Sequence, residues 1–393
     1  MHFTSLSTSR GFSLIELLVA LVIAMIGTIA IMQVYIRGES GKRALGSLGE
    51  AQSGAIVALY QIEREMQRAG YGFLDRQVLG CRIRSNLASG LNNRYLQPVS
   101  IVPAGATASH LANLWGIPPG DPGSDMLVIV AGDGASIIEG SRLATPAAAG
   151  DTVLHLVNKN GIHSNPPDFL LVGESGSDCT LTRASGTINP PNVDDEVAID
   201  FATVAAYGAD NAIVMHLGGN PTFVVYAVRN GMLTRCDFTV SNCADSTKIN
   251  DLTVWQPIAN DVVALVAQYG VDTTAPNRDR VIDLFCKTRV PPGGTCPASD
   301  TGLTDAPGSD ASQTVRAEDG ARILAVRIAV VTRSGQAEKD PVSPATLKLW
   351  ADNTNAADGP LTQGPVWSVP DQHYRYRVAN SIVVLRNLLW SGV

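Results

Sequence analysis

The sequence has no block of lysine and arginine and no interleaving of basic with aromatic residues. Its net charge is −7 and its pI is near 5.4. It therefore lacks the positive field that draws proteins to phosphate backbones, and nucleic-acid binding is not expected. There is no Cys-x-x-Cys pair and no nearby histidine at zinc spacing, so a zinc site has no support. A phosphate loop is absent, because Ile36 occupies its first glycine position and Arg43 its Ser/Thr position around Gly41-Lys42. Gly173-Glu174-Ser175-Gly176-Ser177 lacks the second glycine of a nucleophile elbow. The six histidines are scattered, and no catalytic activity is expected. Acid-rich stretches at 121–125, 194–196 and 272–279 could offer oxygens to calcium, but none has EF-hand spacing. They read as solvated loops, and no cofactor is expected. No repeat of solenoid period occurs.

What the chain does have is one long apolar run, 17–36, broken between Leu17 and Met32 only by Gly27 and Thr28. With its flanks it matches the ~20 residues a helix needs to cross a bilayer. A single carboxylate, Glu16, stands at its front, behind a short polar leader whose firm positive charge is Arg10. A charge within hydrocarbon costs roughly 2.5 to 3.5 kcal/mol on insertion scales, so this acid calls for a partner. The next basic residue is Arg37, far along the run. Cleavage between Gly11 and Phe12 would supply a cation, because the new α-ammonium would lie four residues from Glu16, within helical reach. An adjoining subunit would offer the same ammonium.

The stretch Gly11-Phe12-Ser13-Leu14-Ile15-Glu16-Leu17-Leu18-Val19-Ala20 resembles the signal of type IV prepilins and of type II secretion pseudopilins. A secretory signal peptide is the poorer reading, since its cleavage site follows the apolar core whereas Gly11 precedes it. The resemblance implies a peptidase that cuts after Gly11, N-methylation of Phe12, and Glu16 steering subunits into a filament.

Beyond the run, Ala44, Leu45, Leu48, Ala51, Ile56, Leu59, Ile62 and Met66 recur by threes and fours and predict an amphipathic continuation of the helix. Gly38, Gly41, Gly46, Gly49 and Gly54 weaken that expectation, while Gly70 and Gly72 predict its end. After Tyr71 the texture changes to short apolar runs between Gly, Pro, Asn and Asp, the pattern of strands and loops. Strands are predicted at 126–130, 153–157, 169–172, 197–201 and 213–217. A hairpin is predicted from 222–229 through Asn230-Gly231 to 232–236, since Asn-Gly favours a type I′ turn. Long polar connections at 287–321 and 353–365 read as surface insertions.

Six cysteines, Cys81, Cys179, Cys236, Cys243, Cys286 and Cys296, all follow the apolar run. The basic leader places them outside the cytoplasm, where disulfides form. Cys236 with Cys243 and Cys286 with Cys296 would each close a short loop and leave Cys81 for Cys179, one pairing among the many that six cysteines allow.

Four further stretches resemble landmarks of minor pilins of the PilW type. They are Arg68-Ala69-Gly70-Tyr71; Tyr269-Gly270-Val271-Asp272 at the end of a short helix or strand from Asn260; Val326-Arg327-Ile328 running to Arg333-Ser334; and Tyr374-Arg375-Tyr376-Arg377-Val378 with Val383-Val384-Leu385-Arg386-Asn387. The resemblance implies an α+β, pilin-like fold with a large β-rich head. Its parts would be a leader at 1–11, a transmembrane half-helix at 12–36, an amphipathic half-helix at 37–70, and a head at 71–393. It implies a minor pilin that primes assembly of type IV pili and sits at or near the tip, with a type II secretion pseudopilin or a pilin-anchored adhesive module as alternatives. The implied partners are other minor pilins, the major pilin, prepilin peptidase and the inner-membrane assembly machinery. Localisation would be the inner membrane with a periplasmic head, then the pilus.

Overall fold

The structure is a computed structural model and describes residues 13–73, 78–87, 90–107, 113–133, 140–188, 195–274, 277–287, 322–350 and 366–390. The chain divides into two compact units, 1–50 and 51–393. One helix, α1 (Leu14–Met66), supplies the described part of the first unit and enters the second without a break at its glycines. The rest is built from strands, so the fold is α+β with most of its mass in sheet.

Two antiparallel sheets make the central core of the 51–393 unit. A five-stranded sheet runs in the order Gln256–Asn260, Met232–Asp237, Thr222–Arg229, Met126–Ala131, Val99–Val102. Its central hairpin closes through Asn230 (φ 52°) and Gly231 (φ 71°), both left-handed as a type I′ turn requires, with Arg229 paired to Met232. A four-stranded sheet runs Leu284–Cys286, Val262–Val271, Ile323–Arg333, Tyr376–Val384. Ile323–Arg333 is apolar almost throughout because both its faces are covered. Val326, Ile328 and Val330 join the central core with Ala58 and Ile62 of α1. Ala329 and Val331 pack under Leu349, Trp350 and Trp367, which flank or belong to the small sheet Thr346–Lys348 with Val366–Ser368. Asp125 ties the two main sheets together: its Oδ2 accepts from Ala267 N (3.0 Å), its Oδ1 from Ala104 N (2.9 Å) and Lys287 Nζ (2.8 Å).

A third sheet carries Cys179–Ser185 and Phe169–Gly173 at its centre and holds a separate small core of Leu154, Leu170, Val172, Val197, Tyr207 and Val214. The strand Arg82–Arg84 joins it in parallel, Ile83 opposite Cys179.

The sequence expectations meet this fold unevenly. Strands appear at Met126–Ala131, Val153–His155, Phe169–Gly173, Glu196–Ile199 and Ile213–Gly218, each within a residue or two of its predicted start, and the hairpin lies where Asn-Gly placed it. The stretch after Asn260 is a strand, not a helix. Strands Val99–Val102 and Cys179–Ser185 and helix α2 (Arg386–Trp390) add to the predicted elements. The predicted helix stripe needs correction. Ala51, Ala55, Ala58, Ile62 and Met66 are buried, whereas Ile56 is 56% exposed. Close approach explains the difference: Thr332 Oγ1 donates to Ala51 O (2.9 Å), and a Cβ on Gly54 would lie 3.7 Å from Asn260 O. At this end of the buried face, where the helix is held that near a sheet, the side chains are small, and Ile62 and Met66 follow only further along. The insertions at 288–321 and 353–365 lie outside the described residues.

Candidate functional site at the N-terminal helix

Ser13, Leu14, Ile15 and Glu16 form the start of α1. Ser13 precedes the first helical residue and its carbonyl accepts from Leu17 N (3.1 Å). Ser13 N in turn donates to Glu16 Oε2 (3.3 Å). Ser-x-x-Glu with this bond is the reciprocal arm of a capping box, which satisfies one of the amides that a helix leaves unpaired at its N-terminus. The capping signal is present in the sequence, overshadowed there by the charge of Glu16. The bond is long and exposed, so the carboxylate can exchange it for a stronger donor.

From Leu14 to Tyr35 the helix presents 22 apolar-rich residues with none of them buried. At 1.5 Å per residue that is ~33 Å, close to the ~30 Å of bilayer hydrocarbon. Thr28 does not break the run, because its hydroxyl donates back to Ala24 O (3.1 Å) and Met25 O (2.9 Å). Of the three residues assigned to processing and assembly, the structure places Glu16; Gly11 and Phe12 lie outside the described residues.

The far end of α1 is clamped inside the 51–393 unit. Glu65 accepts from Tyr226 Oη (2.8 Å) and Arg235 Nε (3.0 Å), half-buried, and burial pushes the Tyr226 phenol upward so that it stays a donor. Gly70 takes φ 75°, and its N donates to Val130 O (2.9 Å). Asn387 Nδ2 reaches Ala69 O at 3.0 Å and Arg68 O at 3.3 Å, capping carbonyls that the helix end leaves open. The stretches Arg68-Ala69-Gly70-Tyr71 and Leu385-Arg386-Asn387 are thus two halves of one joint. A Cβ at Gly70 would lie 3.2 Å from Leu388 Cδ2 and 3.4 Å from Pro98 Cβ. Gly70→Ala should therefore lower unfolding free energy by roughly 2 kcal/mol, combining left-handed strain with crowding. A urea midpoint equal to that of the unaltered protein would refute this joint.

The other landmark residues are structural as well. Tyr269 Oη accepts from the buried Ile101 N (2.6 Å). Asp272 accepts from Thr274 N (3.0 Å) and Arg280 N (2.9 Å), closing the loop after Val271. Arg327 lies 4.4 Å from the ring centroids of both Phe285 and Trp350, and Arg375 pairs with Glu338. Arg333 lies over Tyr374 at 4.4 Å.

Two disulfides link Cys81 to Cys179 and Cys236 to Cys243. Cys286 is also disulfide-bonded, and Cys296 lies outside the described residues. In the acid-rich loops, Asp121 caps the hairpin turn through Asn230 N (3.0 Å) and Gly231 N (2.8 Å), and Asp195 Oδ1 holds His155 Nδ1 at 3.0 Å. Among the described residues no group of three or more side chains is arranged to hold a metal ion.

Compared with known proteins, residues 225–387 match the family described as type IV pilus-assembly protein W, and residues 6–32 match the prokaryotic N-terminal methylation motif. The chain thus pairs a prepilin-type N-terminal segment with a C-terminal region similar to the PilW family. These two matches suggest a structural protein that works with pilus components. Among solved structures it is similar to a type IV-like pilin from Thermus thermophilus, at 10% identity and a TM-score of 0.22, covering 56% of this chain and 84% of that one. Among curated proteins none matches.

Proposed function

We propose that this protein is a minor pilin that helps to prime type IV pilus assembly and is carried at or near the filament tip. The observation that carries the reading is the wholly exposed apolar helix Leu14–Tyr35 with one carboxylate, Glu16, two residues inside its start. Cleavage after Gly11 by prepilin peptidase frees the Phe12 amine, which is then N-methylated. As helices gather at the inner-membrane machinery, Glu16 leaves its bond to Ser13 N and meets the Phe12 ammonium of an adjoining subunit. A charge pair formed in hydrocarbon fixes register, while close apolar packing supplies most of the association. The bulk of the 51–393 unit supports a place at one end of a thin filament over one repeated along it. Before assembly the head is periplasmic, where its disulfides persist.

Deleting the protein should abolish or sharply reduce surface pili and twitching while type II secretion continues, and the mature chain should begin at N-methylated Phe12. Loss of secretion with normal piliation, or a mature chain beginning at Met1, would overturn the proposal.

A further inference from the structure

The third sheet and its small core fall outside both matched segments, 6–32 and 225–387. On it lies an open cleft of ≈350 Å³ between the segment Thr145–Ala147 and the strand Val153–His155, with Asp151 and Thr152 at its base. The walls are rigidly held. Ala147 and Tyr207 exchange both backbone hydrogen bonds (3.0 and 2.9 Å). Thr203 N donates to Asp151 O (2.9 Å), Asp151 N donates to Thr203 Oγ1 (3.0 Å), and Ala148 N donates to Asp151 Oδ2 (2.7 Å). The Tyr207 ring is buried behind this loop, its phenol donating to Asp178 O (2.8 Å) and pushed up to about 12 by burial.

The groups that line the cleft are left over from that bracing. Among the described residues the hydroxyls of Thr145 and Thr152, Asp151 Oδ1 and His155 Nε2 have no protein partner. His155 is fixed through Nδ1 by Asp195 Oδ1 at 3.0 Å, and this hydrogen bond raises its pKa, with the charges of Asp195, Glu196 and Asp151 adding to the effect. The surroundings are therefore acidic. Pro146 and the half-exposed Val153 add a small apolar face.

We infer that this cleft is a binding site for neutral carbohydrate. Two hydroxyls, one carboxylate oxygen and one imidazole nitrogen match the mixed donors and acceptors of sugar hydroxyls, and Pro146 with Val153 suits the C–H face of a pyranose. A preformed wall limits the ordering cost of binding. The acidic surroundings of His155 disfavour sialylated, sulfated or phosphorylated ligands. The site is independent of the assembly reading, since it uses no residue of the N-terminal helix.

The test uses the full chain in detergent micelles on an array of neutral hexose and N-acetylhexosamine oligosaccharides with sialylated and sulfated counterparts. Binding confined to neutral glycans is expected, with a loss of at least tenfold in the Thr145→Val/Thr152→Val double variant and in Asp151→Asn. Asp151→Asn keeps an acceptor for Ala148 N, and Thr152→Ser should retain binding, which separates lost contacts from lost fold. Piliation should be unchanged in the double variant. Absence of glycan retention by the unaltered protein, preference for acidic glycans, or full binding by the double variant would each overturn the assignment. Normal piliation in cells that lack the protein, with glycan binding by the unaltered protein intact, would count against the assembly reading alone.

Discussion

Pili sheared from cells that carry Glu16→Ala should contain at least tenfold less of this protein, while its level in the inner membrane stays unchanged. The helix before assembly asks little of the carboxylate: its one bond among the described residues, to Ser13 N at 3.3 Å, is exposed and replaceable by water. In the proposed assembly mechanism the same carboxylate meets the Phe12 ammonium of a neighbour within a bundle of apolar helices. Removing one partner then strands the other charge in hydrocarbon, and a broken buried pair costs about 3 to 5 kcal/mol, more than a hundredfold in an equilibrium constant. Glu16→Gln separates the two roles of the residue. Its amide oxygen still accepts from Ser13 N and keeps the capping box, but it carries no charge. Immunoblots of sheared pili against membrane fractions should show the glutamine variant failing like the alanine variant. If the glutamine variant were incorporated normally, the cap and not the charge would matter, and the pairing mechanism would fall.

The second large effect is expected at Cys81–Cys179. The bond spans 98 residues of sequence, whereas Cys236–Cys243 spans 7. Loop-closure entropy in the unfolded chain then gives roughly 4.7 kcal/mol for the first and about 2.5 kcal/mol for the second. Location reinforces the difference. Cys179 is fully buried opposite Ile83 in the parallel pairing that attaches Arg82–Arg84 to the third sheet, and a Cβ at Gly173 would come within 2.7 Å of its sulfur. Asp178 beside it takes Arg84 Nε at 2.9 Å and Arg82 Nη2 at 3.1 Å, so the covalent bond and the ion pairs hold the same corner. Urea unfolding of the Cys81→Ala/Cys179→Ala and Cys236→Ala/Cys243→Ala variants should show the first losing nearly twice as much free energy as the second. The reverse order would mean that the long loop is already constrained when unfolded.

Several parts of this protein were legible because their signals are short-range. Residues 17–32 specify a membrane-length helix by composition alone, since hydrocarbon leaves the backbone no partner except itself. Asn230-Gly231 specifies its turn because these two residues tolerate the positive φ that a tight hairpin demands. The strand Ile323–Arg333 stood out by its resemblance to a family landmark, on apolar residues interrupted by Arg327. The start of the candidate site was equally plain, with Glu16 the one acid at the head of the run.

Other features depended on partners far away in sequence. The stretches Arg68-Ala69-Gly70-Tyr71 and Leu385-Arg386-Asn387 stand out by resemblance, yet only the folded chain brings Asn387 onto the carbonyls of Arg68 and Ala69. The seated helix face differs from the predicted stripe because hydrophobicity ranks Ile56 above Ala55, whereas the face turned to the sheet carries Ala51, Ala55 and Ala58, with Ala51 O bonded to Thr332 Oγ1. The carbohydrate cleft had no sequence signature at all. Thr145, Asp151, Thr152 and His155 are ordinary loop and strand residues until the bridge between Ala147 and Tyr207 sets them around one hollow.

By itself, then, the sequence determined the anchor, its acid, the turn chemistry and the β-rich character of the rest, all set by residues within one or two turns of each other. Only the tertiary structure decided which face of the helix seats, which cysteines meet and where polar groups are left unpaired. Those outcomes follow from register and clearance between segments as much as 320 residues apart, which neighbouring side chains do not encode.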